Sequence, residues 1–362
     1  MANQFGRNFR ITTFGESRGP ALGVVIDGLP AGLKLTPEDI QRDLERRRPG
    51  QSLYTSPRQE PDRAEIISGL GTEGRTSGAP LTILIRNEDI GEPLAPPDET
   101  EEKFRPGHAD WSYYQKYGLR PQPGGGRSSG RETVGRVAAG AAARRLLSPL
   151  GIKAAAYTVA VGRVRAEQID PDFAEHDPLR FADRDLAPQA RREVEEAMRD
   201  GDSVGSVVEV TVTGVPAGWG EPVFDKLEAA LGAAFFSIGA VRAVEFGEGL
   251  SLAALRGSAA NDPLGPEGPL SNRHGGIMGG LSTGLPIVAR LYVRPTPSIS
   301  RPQRSVTLGG RPTTIETHGR HDPCLAPRLA PVAEAMALVC LADFHLEPNR
   351  HYIAINQHAE VL

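Results

Sequence analysis

Gly124-Gly125-Gly126-Arg127-Ser128-Ser129-Gly130-Arg131-Glu132 runs straight into a helical pattern over residues 132–147. In that pattern Val134, Val137, Ala138, Ala141 and Leu146 recur at helical spacing. Three glycines in a row give the backbone conformations and close approaches that a side chain forbids. Two serines and two arginines then gather at a helix start, where free N–H groups and the helix dipole favour an anion. The stretch lacks Gly-Lys-Ser/Thr, so it is not a Walker A loop. It also lacks a third spaced glycine and a preceding strand, so it is not a Rossmann fingerprint. Two readings remain from these residues alone: an anion site, or a flexible loop before an exposed helix start.

The flanking sequence sets the architecture. Short, apolar or β-branched runs bounded by Gly, Pro or Asp predict strands over residues 8–14, 22–28, 64–70 and 81–86. Between them Thr36, Pro37 and Asp39 read as N-cap, first helical position and capping-box acid of a helix that stops at Pro49-Gly50. Arg46, Arg47 and Arg48 then fall in its last turn, where cations suit the dipole. Residues 87–130 read as one long loop, and its aromatics Phe104, Trp111, Tyr113, Tyr114 and Tyr117 argue against disorder. The second half predicts strands over 155–162, 204–215 and 286–293, helices over 189–199, 222–236 and 331–346, and an irregular Gly-rich loop over 259–284. Strands come in groups with helices between the groups, which predicts an α+β fold rather than a doubly wound sheet. No composition break marks a linker, so residues 1–362 read as a single domain.

Composition narrows the function. The net charge is −4, which disfavours a dedicated nucleic-acid binder. Cys324 and Cys340 are too few for a disulfide framework. The most apolar stretch, residues 331–344, is short and is broken by Glu334 and Asp343, so it does not read as a membrane span. With no signal pattern in the first thirty residues, the expectation is a cytoplasmic protein with no membrane partner. Arginine outnumbers lysine 36 to 5, a bias that genome composition largely explains, but it supplies planar donors suited to phosphate and carboxylate.

Three further motifs carry chemistry. Gly15-Glu16-Ser17-Arg18-Gly19 matches the nucleophile-elbow pattern, but that motif needs a helix directly afterwards and here a strand pattern follows Pro20. A Gly-framed turn presenting Ser17 and Arg18 to a ligand is the better reading. Arg105-Pro106-Gly107-His108-Ala109-Asp110 puts an imidazole in a turn between a cation and an anion, where it either exchanges protons or is merely exposed. His318-Gly319-Arg320-His321-Asp322-Pro323-Cys324 cannot assemble a full metal ligand set from nearby spacing, so no metal is expected. It reads as an acid–base group or as a solvated surface turn. Met336 and Cys340 read as core.

Taken together, Gly15–Gly19 with Ala21-Leu22-Gly23, then residues 43–50, 105–110, 124–140, 275–284, 294–298 and 319–324, resemble chorismate synthase, in order over nearly the whole chain. The resemblance implies a helical layer sandwiched between two antiparallel β-sheets, assembled as a homotetramer. It implies the last step of the shikimate pathway, a 1,4-elimination of phosphate from 5-enolpyruvylshikimate 3-phosphate. That reaction gives chorismate, requires reduced FMN and leaves no net redox change. It further implies substrate contacts from Arg48, Arg105, Arg131 and Arg320. Flavin contacts would come from Arg127, Ser128, Ser129, Gly279, Arg294, Pro295, Thr296, Pro297, Ser298 and Arg320. Arg47 matches a position linked to NADPH, a source of electrons. Among catalytic positions, His108 matches a histidine that protonates reduced flavin, Asp322 a carboxylate that helps take the substrate proton, and Ser17 and Arg18 the Gly15–Gly19 segment.

The sequence departs from the family pattern at four places. Arg18 stands where the family has a histidine that protonates departing phosphate; arginine gives up no proton but still offers charge and a bidentate contact. Leu53 replaces an arginine associated with the nucleotide, Gly239 an asparagine and Arg294 a lysine. Two alternatives stay open at this point: a non-catalytic FMN-binding relative, and a flavin oxidoreductase.

Overall fold

The computed structural model describes residues 3–89, 103–317 and 319–347. Among them two antiparallel five-stranded sheets enclose a layer of helices, the α+β sandwich that the resemblance implies. The first sheet runs in the order Gln4–Phe5, Arg10–Gly15, Ala21–Asp27, Leu81–Arg86, Ala64–Ser68. The second runs Val164–Arg165, Lys153–Val161, Ser206–Thr213, Ile287–Val293, Val241–Phe246.

Period-two patterning makes each sheet one-sided. Leu22, Val24 and Ile26 share the buried face of the first sheet with Leu81, Ile83 and Ile85. On the second, Val208, Val210 and Val212 share it with Ala289 and Leu291. Complete burial of each such aliphatic side chain contributes about 1.5–3 kcal/mol. The Thr133–Leu147 helix packs on the first sheet and the Ala326–His345 helix on the second, and these two helices pack on each other. Gly140 makes that close approach: a β-carbon there would lie 2.4 Å from the Ala335 β-carbon. Gly135 does the same against the first sheet, 2.8 Å from the Gly23 carbonyl oxygen.

The helix Pro37–Arg47 begins with a complete capping box between Thr36 and Asp39, as its sequence predicts. Helices expected over 189–199 and 222–236 run Ala187–Arg199 and Leu227–Phe236. Three features correct the sequence reading. The 87–130 stretch is not all loop, because Asp110–Tyr117 is a helix. Its pattern carries no apolar stripe; neighbouring rings hold it instead, Tyr113 on Tyr117 at 4.5 Å and Phe104 on Tyr114 at 5.5 Å. Residues 90–102 of that stretch lie outside the described residues. Next, the helix expected from 331 begins at Ala326 and carries Pro331 inside it. Proline has no N–H for the carbonyl one turn back, and that Pro327 carbonyl instead accepts from Arg180 Nε at 3.2 Å. Finally, Val241–Phe246 and the Gln303–Val306/Pro312–Ile315 hairpin are strands that the pattern did not announce.

Candidate active site

At one end of the helical layer the chain leaves a cleft of about 1030 Å³, lined among the described residues by ten arginines against two carboxylates, Glu132 and Asp322. Loops from both halves of the chain and the start of the central helix build it. The Gly15–Gly19 segment is the turn of a hairpin in which Gly15 pairs with Leu22, so no nucleophile elbow exists. Ser17 accepts a hydrogen bond from Arg58 Nη1 at 3.3 Å. Arginine has no acceptor for a proton, so nothing there activates the hydroxyl as a nucleophile.

The triple-glycine turn lies directly on this hairpin. Gly124, Gly125 and Gly126 all take positive φ (77°, 91° and 50°), the freedom that their sequence announced. A β-carbon on Gly124 would meet Ser17 Oγ and Arg18 Cγ at 3.3 Å. Arg127 reaches back across the turn, donating to the Gly15 carbonyl at 3.0 Å and to Thr13 Oγ1 at 2.7 Å. Ser128 donates to the Gly125 carbonyl at 2.7 Å, and Ser129 accepts from the Arg131 N–H.

His108 also lines the cleft, its Nε2 2.5 Å from Ser298 Oγ. Burial pushes its pKa down to about 4, and the nearby Arg105 charge adds to the effect, so the imidazole is neutral at pH 7. Arg105 is itself clamped by Asp110 through two contacts of 2.7 Å. Arg294 donates to the Gly107 carbonyl at 2.8 Å, and Thr296 and Pro297 continue that wall. Asp322 is held at both oxygens, by the Ser56 N–H and by Arg328 Nη1, each at 2.7 Å. Arg320 donates to Asp89 at 2.5 Å. Burial also lowers the pKa of His321. His318 lies outside the described residues.

Among the lining arginines the commitments differ. Arg18 makes no hydrogen bond or ion pair with any described residue, so among them its cation is available to a ligand. Arg131 lines the cleft but is 3% exposed, with Nε on Asn87 Oδ1 at 2.9 Å and Nη1 on Asp62. Four expected residues are not brought to the cleft. Arg47 is fully buried, donating to Asp62 at 2.8 Å; Arg48 is exposed just past its helix; Gly279 sits in a separate tight turn; Pro295 points away beside Gly205. Sequence reasoning missed Arg58, Glu60, Asp62 and Arg328. They lie outside the matched motifs and look there like ordinary solvated charges; for the first three the alternation Arg58-x-Glu60-x-Asp62 was the available signal.

This arrangement has relatives. A family profile described as chorismate synthase matches residues 9–346. The chain belongs to the chorismate synthase family. As a member it is an enzyme, a carbon–oxygen lyase. The chorismate synthase of Syntrophobacter fumaroxidans is 54% identical over 96% of this chain and 97% of its own length. That of Methanocella arvoryzae is 52% identical over 94% and 93%. A solved crystal structure of chorismate synthase superposes with a TM-score of 0.75 at 30% identity, over 93% of this chain and 91% of that one. Among the described residues no helix is long and apolar enough to cross a membrane.

Proposed function

We propose that this cleft eliminates phosphate from 5-enolpyruvylshikimate 3-phosphate to give chorismate, with reduced FMN bound beside the substrate and no net redox change. The observation that carries the reading is the ten-to-two excess of arginine over carboxylate among the described residues of one cleft. A substrate with one phosphate and two carboxylates needs several fixed cations. Arg18 and Arg242 are the lining cations that no described residue engages, and the family resemblance puts Arg18 at the phosphate. As the C–O bond breaks, negative charge builds on the leaving phosphate, and a fixed guanidinium stabilises it without proton transfer. The proton lost from the ring leaves on the side of Asp322, whose carboxylate Arg328 and Ser56 hold in place.

The residues also fit a flavin. The cleft is roomy, Ile11, Ile238, Leu329 and Met336 give it an apolar wall for a planar ring, and Arg127 and Arg294 supply charge for a phosphate. Bound reduced FMN supplies electron density to the elimination. His108, neutral and held by Ser298, is placed to donate or accept one proton toward that ring. Arg47 lies inside the protein and Leu53, 82% exposed, carries no charge, so the reading takes the flavin's electrons from an outside donor rather than from NADPH at this position. A cytoplasmic homotetramer completes the proposal. The test is anaerobic incubation with substrate and either photoreduced or oxidised FMN. Chorismate and phosphate appear only with reduced FMN if the reading holds. Tight flavin binding without product would favour a non-catalytic relative.

A further inference from the structure

Behind the cleft wall lies a buried group of charges of which only Arg131 has been given a task so far. Asp62 is fully buried and takes φ +48°, a left-handed conformation uncommon outside glycine. Its Oδ2 accepts from Arg47 Nη1 at 2.8 Å and its Oδ1 from Arg131 Nη1. Glu60, 3% exposed, accepts from Arg58 Nε at 2.9 Å and lies 3.5 Å from Arg131 Nη2. Asn87 Oδ1 closes the group, accepting from Arg131 Nε at 2.9 Å and Arg58 Nη2 at 3.3 Å. Burial alone would raise the Asp62 pKa; the Arg47 and Arg131 guanidiniums outweigh it and hold the carboxyl below the usual range.

Among the described residues three guanidiniums thus face two carboxylates, one positive charge in excess, and of the group's charges Arg58 and Arg131 reach the cleft. A buried charge without a partner is costly, so such a group holds together as a unit. Arg131 cannot choose its own orientation: two of its nitrogens are fixed by Asp62 and Asn87. Arg47 has no access to a ligand, and its Nη2 has no hydrogen-bond partner.

We propose that Asp62 is a positioning residue for substrate recognition: it fixes the Arg131 guanidinium in the cleft wall, with Nη2 left without a hydrogen-bond partner among the described residues, and is itself braced from behind by Arg47. This rests on the proposed function, with Arg131 making the substrate contact that the family resemblance implies. It gives Arg47 a structural task in place of a nucleotide contact.

The experiment measures affinity for 5-enolpyruvylshikimate 3-phosphate by calorimetry, with oxidised FMN saturating. The proteins are wild type, Asp62→Asn, Arg131→Ala and the double variant, and flavin affinity is measured separately without substrate. Truncating one partner of a buried charge pair weakens binding by about 30-fold or more, which is the expectation for Arg131→Ala. Asp62→Asn is expected to lose about tenfold or more in wild type and less than about threefold when Arg131 is already alanine, because coupled residues are not additive. Flavin affinity is expected to stay within about threefold throughout, a split that general loosening of the fold would not give. Where Asp62→Asn fails to fold, Arg47→Met/Asp62→Asn removes the buried pair together and is expected to show the same loss. Wild-type affinity in the Asp62 variants, or an equal loss in both backgrounds, overturns the proposal. Unchanged affinity in Arg131→Ala overturns the substrate role of Arg131 instead, and this inference with it.

Discussion

Replacing His108 by glutamine removes a titrating group while keeping a polar side chain beside Ser298. The consequence is readable in stability before any turnover is measured. An ordinary histidine titrates at 6.5, and His108 in the folded protein titrates at about 4. Between those values the unfolded chain binds a proton at this position and the folded one does not, so stability rises with pH across the window. The contribution is fully present above pH 6.5 and is lost as pH falls through 4. The whole window corresponds to about 3 kcal/mol and the part down to pH 5 to about 2 kcal/mol. Burial is the first cause; Arg105, His321 and Arg294 add to it, while Asp110 opposes it. The assay is denaturant unfolding of wild type and His108→Gln at pH 7 and pH 5. Other carboxylates titrate in both proteins and cancel in the difference. The variant is expected to gain on wild type by about 2 kcal/mol on going to pH 5. Parallel losses, or an imidazole carbon signal for His108 titrating near 6.5 by NMR, would refute the reasoning. An anion bound against Arg105 and Arg294 cancels charges that oppose protonation, so the same signal is expected to titrate higher with substrate present.

Arg18→Ala is expected to weaken substrate binding and slow elimination, with FMN affinity unchanged; wild-type affinity and turnover would remove Arg18 from the phosphate site. Arg18→His is expected to recover part of that rate below about pH 6.5 and less above it, read as the ratio to wild type at each pH. Gly140→Ala forces a β-carbon against Ala335 and is expected to cost about 1–3 kcal/mol in unfolding free energy, with substrate affinity retained. Arg328→Ala frees one oxygen of Asp322 and is expected to lower kcat more than it raises KM, because the carboxylate loses its orientation rather than the substrate its cations.

Sequence made the local chemistry legible wherever one residue has one physical use. Thr36-Pro37-x-Asp39 announces a capped helix, and three consecutive glycines announce a backbone turned through positive φ. The Gly15–Gly19 turn was readable because a strand pattern, not a helix, follows Pro20. What stayed hidden depends on contacts between distant segments. Asp110–Tyr117 is stabilised by ring packing that no apolar period reveals, and Ala326–His345 continues through Pro331 because Arg180 takes the freed carbonyl. Arg47 and Arg131 look alike in sequence, and neither announces that the fold buries both on one carboxylate. Family resemblance placed the arginines at a site but could not tell a free cation such as Arg18 from one committed to a neighbour.

Phosphate released per flavin oxidised is the quantity closest to the central claim. Under argon, with the protein, catalytic photoreduced FMN and excess 5-enolpyruvylshikimate 3-phosphate, phosphate and chorismate are expected to accumulate in equal amounts through many turnovers while the flavin spectrum stays reduced. One flavin oxidised for each phosphate released would contradict an elimination without net redox change, and would make the arginine-lined cleft the site of an oxidoreductase instead.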